Sequence, residues 1–70
     1  MPLVIAPLDQ ELTIIRILTD EKTKKHLENL GITIKGNIRV ISQSGGNVIC
    51  LVKDGRLALD RDLATKIFVI

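Results

Sequence analysis

Histidine and cysteine, the side chains that most often ligate transition metals, each occur once in this sequence, as His26 and Cys50. A metal site needs convergent ligands. On a helix, His26 has Lys22 at i−4 and Leu30 at i+4, neither of them a ligand, while Glu28 and Asn29 point elsewhere or only partly alongside. We read His26 as a surface or half-buried histidine. Cys50 stands between Ile49 and Leu51 inside an apolar run, the setting of a buried, inert thiol. No second cysteine exists for a disulfide or a thiolate zinc site, which suits a reducing cytoplasm.

Two further stretches invite chemistry. "SGGN" at 44–47 resembles a phosphate cradle, yet it lacks the spaced Lys and Ser or Thr of a P-loop and no helix pattern follows it. A hairpin turn explains it. Asp60 and Asp62 could form a general acid and base pair. Both stand where a helix start already wants a cap and a negative charge. No nucleophile has a base beside it, so the sequence predicts no enzyme and no catalytic residue.

Composition narrows the partners. Ten Lys and Arg against eight Asp and Glu leave a net charge of +2, too small to mark a nucleic-acid or membrane surface. Lys22, Lys24 and Lys25 spread around a solvated helical face. Phe68 is the lone aromatic residue, and single-stranded nucleic acid needs several rings to stack on. Nucleic acid is not an expected partner. The N-terminal "MPLVIAPLDQ" has no basic residue before its apolar part and no run long enough for a bilayer, so neither a signal peptide nor an anchor is expected.

The elements that must position these groups follow from periodicity and punctuation. At 70 residues the chain is read as a single domain over 1–70, near the size where one apolar core is only just sufficient. "ELTIIRIL" at 11–18 is β-branched and short, and predicts a strand. Thr19 and Asp20 offer N-cap oxygens for a helix near 20–30, with Thr23, Leu27 and Leu30 on one face. Gly31 at C′ would end it in a Schellman motif, with Ile32 at C″ against Leu27 at C3.

"NIRVIS" and "NVICLV" predict two antiparallel strands joined by "QSGG". "DG" at Asp54 and Gly55 marks a second tight turn, returning Leu57 to Leu59 alongside. Asp60 caps a short helix near 60–66, with Asp62 at its positive end, Lys66 at its negative end, and Leu63, Ala64 and Ile67 on one face. "IFVI" at 67–70 is a terminal strand. Ile38, Val40, Ile49 and Leu51 alternate with Ile41, Val48, Cys50 and Val52, so both faces carry apolar side chains. A curled sheet covered by the first helix and by Pro2 to Leu8 buries much of this, and a homodimer would bury the rest. The fold class is mainly β: a small barrel of about five strands with one α-helix and a short C-terminal helical turn.

At "HLENLGI...KGNIRV", then "GGNVICLVKDGRLALDRDLATKIFV", the chain resembles the FeoA family, small cytoplasmic proteins of bacterial ferrous iron transport. The marks are the step at Leu30 and Gly31, the Gly36 turn before a strand, the "RLAL" run at Arg56 to Leu59, and the ending at Ala64 and Ile67. Two places depart from the pattern. Many members carry Gly where this chain has Asp9, and a Pro-Gly turn where it has "IKG" at 34–36. The resemblance implies an SH3-like barrel, a cytoplasmic location, and a non-enzymatic accessory that acts on the cytoplasmic part of the FeoB-type membrane transporter.

The family is also similar to the C-terminal domain of iron-dependent repressors. The alternative is therefore an intracellular metal-responsive domain that binds a divalent transition metal such as iron weakly, through carboxylates shared across a dimer. No cofactor and no metal-ligating residue is otherwise expected. Partner contacts tend to lie on loops and element ends. We place them on the polar ground between the first helix and the "KDGR" turn, at His26, Asn29, Lys53 and Arg56, with the Arg56 guanidinium foremost because it pairs well with carboxylates.

Overall fold

The computed structural model describes residues 1–53 and 55–70. Five strands and two helices follow a 3-10 turn at Leu3–Ile5: β1 Glu11–Ile17, α1 Glu21–Asn29, β2 Asn37–Ser44, β3 Asn47–Val52, β4 Gly55–Asp60, α2 Arg61–Ala64 and β5 Ile67–Val69. The sheet runs β4-β3-β2-β1-β5, antiparallel throughout. It is a small SH3-like barrel.

The curl comes from β1. Its first half pairs with β2 at Glu11 to Thr13, and its second half pairs with β5 from Ile14 onward, with a register shift between Ile14 and Arg16. The extra residue, Ile15, is pushed outward and is 49% exposed. A bulge bends and over-twists its strand, so one strand serves two parts of the sheet. The N-terminal segment completes the enclosure. Pro2 bridges to Phe68 of β5, Leu8 runs parallel to Val40 of β2, and Gln43 donates from Nε2 to the Val4 carbonyl at 2.8 Å. Leu3 and Ala6 of this segment belong to the core, as the sequence suggested.

α1 begins where Asp20 accepts from the Thr23 N–H at 3.1 Å. It ends as the Leu-Gly step predicts. Gly31 has φ 99°, its N–H donates to Glu28 and the N–H of Ile32 donates to Leu27. Leu27 and Ile32 are both fully buried, and burying Leu27 is worth roughly 1.5–3 kcal/mol. Leu30, placed on the same face by spacing, is the C-cap and stays 37% exposed.

Several expectations are corrected. The hairpin joining β2 and β3 is tighter than "QSGG": Gln43 and Ser44 pair with Val48 and Asn47, leaving Gly45 and Gly46 as the turn. Gly55 is already strand, paired with Val52; the other half of the predicted "DG" turn, Asp54, lies outside the described residues. α2 stops at Ala64 instead of running to Lys66. The face assignment also changes. Val40 pairs with Cys50, so the inward set is Ile38, Val40, Val48 and Cys50, and Ile49 and Leu51 face outward, half-buried. A bulge at Ile41 shifts the register between Val40 and Ser42, and strand parity alone cannot locate a bulge.

Among the described residues, Asp9 and Lys35 are the two non-glycine residues at positive φ, 60° and 71°. They mark both places where the chain departs from the pattern it resembles. The backbone keeps its turns there, and the side chains adapt to a conformation that glycine would take freely.

Candidate partner-binding surface

A groove of about 730 Å³ opens on the surface beside the end of α1. Glu28 and Gly31 from the end of α1, the turn at Thr33, Lys35 and Gly36, the start of β2 and the end of β3 form it. The turn is held by backbone bonds. Lys35 N–H donates to Ile14, Ile14 N–H donates to Gly36, and Gly36 N–H donates to Thr33. A Cβ on Gly36 would meet Thr33 Oγ1 at 2.7 Å and the Thr33 carbonyl oxygen at 3.0 Å, so this corner closes only around glycine.

The sheet positions the charges. Register places Glu11 opposite Arg39, Arg39 opposite Leu51, and Leu51 opposite Arg56, and residues directly opposite share a face. Two exposed guanidiniums therefore flank the half-buried Leu51. Glu11 and Arg39, side by side in the row, line the groove together with Lys35 and Lys53, and Glu28 adds a second carboxylate. The half-buried Leu51 and Val52 supply the apolar lining of the groove. Such an arrangement suits an apolar segment carrying carboxylates.

Of the four residues singled out in the sequence, Lys53 lines the groove and Arg56 closes the row beside it. His26 and Asn29 are exposed on α1 but are not part of the lining. Glu28 turns to the groove instead. Helical spacing held that signal, because Glu28 lies three residues before Gly31, on the same side of the helix end. Lys35 and Arg39 were missed, and only the register reveals Arg39.

The other reactive groups are engaged elsewhere. Cys50 is fully buried, its thiol near the Leu57 carbonyl at 3.7 Å, and burial pushes its pKa up from 9.0 to about 11. Asp60 accepts from the Leu63 N–H at 2.9 Å and caps α2. Asp62 lies in the first turn of that helix. Hydrogen bonding from Thr23, side chain first and then backbone, holds the Asp20 carboxyl below its ordinary value. Among the described residues no three His, Cys, Asp or Glu side chains gather to hold a metal ion. Among those same residues no helix is long and apolar enough to cross a membrane.

The model of the FeoA domain family matches residues 1–70. The chain belongs to this family. A crystal structure of an iron uptake regulatory protein, FeoA, is similar at 26% identity and TM-score 0.87, covering 99% of this chain and 93% of that one. The solution structure of FeoA from Chlorobium tepidum is 17% identical with TM-score 0.88, over 99% of this chain and 68% of that one. A manganese-dependent transcriptional repressor shares the fold at 19% identity and TM-score 0.88; all of this chain corresponds to 40% of the repressor. No curated protein matches the sequence. In this FeoA domain, the groove is thus a feature of the barrel surface and not of an appended segment.

Proposed function

We propose that this FeoA domain is a non-enzymatic accessory of ferrous iron transport that acts, in the cytoplasm, on the cytoplasmic part of a FeoB-type membrane transporter. Family membership supports the transport assignment. The observation that carries the binding role is the row of Arg39, Leu51 and Arg56 beside Lys35 and Lys53, an apolar strip edged by cations. The partner it suits presents carboxylates around an apolar contact. Arg56 and Lys53 make the main contacts, with His26 and Asn29 at the rim.

Binding of the full chain to the isolated cytoplasmic domain of the transporter is the test, read by calorimetry with circular dichroism as the folding control. Arg56→Ala should weaken the Kd by about tenfold, the scale of one lost charge-assisted hydrogen bond. Undiminished affinity in Arg56→Ala, Lys53→Ala, His26→Ala and Asn29→Ala together would place the interface elsewhere. The metal-responsive alternative separates from this reading on chelation. A domain that does not fold around metal keeps its thermal midpoint when chelator is added; a fall of many degrees, reversed by iron, would favour the regulator.

A further inference from the structure

β4 ends the sheet, and its free edge can be phased from the hairpins. Val52 and Gly55 pair across only two intervening residues, so they must exchange both backbone hydrogen bonds. Counting along β4, Leu57 and Leu59 also turn their backbone groups to β3. Arg56, Ala58 and Asp60 turn theirs away. The other hairpin gives the same phase independently. Ser44 and Asn47 close it, which commits the backbone of Asn47 to β2 and leaves its opposite number on β4, Asp60, facing outward. Among the described residues no backbone hydrogen bond from another strand or loop reaches Arg56, Ala58 or Asp60, and all three are exposed.

Natural edges are commonly blunted by proline, a bulge or an inward-pointing charge. β4 has none of these: its register with β3 is unbroken and its inward residues are Leu57 and Leu59. The edge is also self-complementary. If a second β4 is laid antiparallel with the two-fold axis at Ala58, the small Ala58 side chains face each other. Arg56 then falls opposite Asp60 of the second copy, and Asp60 opposite Arg56. One Asp60 oxygen caps Leu63, and the other is left for the guanidinium.

We propose that the β4 edge pairs with the β4 edge of a second copy of this chain, joining two barrels into a continuous sheet. Ala58 N–H donates to the Ala58 carbonyl of the second copy, and Asp60 N–H donates to the Arg56 carbonyl. The Asp60 carbonyl is reserved for opening α2. The inference does not rest on the transporter reading, although Arg56 belongs to both surfaces and can serve one at a time.

Sedimentation of the chain alone tests it. An edge-only interface is small, so association is expected on the order of 100 µM. The wild type should approach the mass of two chains above that concentration, and lose this with added salt as the exposed charge pairs are screened. Ala58→Pro should remain a single chain while keeping its fold, because the N–H it removes points away from β3. If Ala58→Pro does not fold, Arg56→Glu carries the test, since it sets two carboxylates opposite each other and should weaken association at least about tenfold. Amide exchange at Ala58 and Asp60 should slow with concentration. A wild type that stays a single chain up to about 1 mM overturns the proposal. So does a dimer indifferent to Arg56→Glu and with unprotected Ala58 and Asp60.

Discussion

The N–H of Ile32 donates to the carbonyl of Leu27 at 2.9 Å, and both side chains are wholly buried. One local motif thereby ends α1, satisfies a helix-end carbonyl, and anchors the helix to the barrel beside the groove. It depends on the positive φ of Gly31 between them.

Gly31→Val should therefore be costly. A β-branched residue at φ 99° carries strain of about 1–3 kcal/mol, and relief would pull Ile32 from the core. Lys25→Ala, on an exposed position of the same helix, should change stability by less than about 0.5 kcal/mol. Lys25 is a cleaner control than Lys24, which is half-buried. Urea midpoints compare them; equal midpoints would show that the motif does not hold the helix end.

Lys35→Gly should stabilise the domain. Lysine at φ 71° bears a cost that glycine lacks, of about 1–2 kcal/mol, partly offset by the greater chain entropy that glycine loses on folding. A gain of up to about 1 kcal/mol is expected, read as a rise in Tm of several degrees. Asp9→Gly should gain less, because aspartate tolerates the left-handed region better than lysine. A lower Tm for Lys35→Gly would contradict this account of the turn.

Alkylation should find Cys50 unreactive. Raising the thiol from 9.0 to about 11 lowers its thiolate fraction at pH 8 by about a hundredfold, and full burial removes access as well. Iodoacetamide labelling followed by mass spectrometry should be slow in the native protein and rapid in denaturant. Comparable rates in the two states would place the thiol at the surface.

Acid should loosen the start of α1. The folded Asp20 carboxyl lies below its ordinary value of 3.8, so its cap stabilises the fold while the group is ionised. That contribution is present above this value and fades as pH falls through the lower folded value. Asp20→Ala should accordingly melt below wild type at pH 6, and the gap should shrink toward pH 2. A gap independent of pH would mean that the charge takes no part in the cap.

What the sequence by itself determined is local. Asp20 and Asp60 capping their helices, Leu30-Gly31 ending α1, and the five strands all follow from interactions spanning a few residues, so residue type and spacing suffice to read them. The burial of Cys50 and the surface position of His26 were legible in the same way. Which strand residues face inward was decided only by tertiary structure. The bulge at Ile41 sets Val40 against Cys50, turning Val48 and Cys50 into the core and Leu51 out between Arg39 and Arg56. A slip of one residue exchanges the two faces of a strand, and with apolar residues on both faces, hydrophobic pattern cannot choose between them. The groove and the free edge of β4 depend on that choice, because each is made by residues brought together across strands and not along the chain.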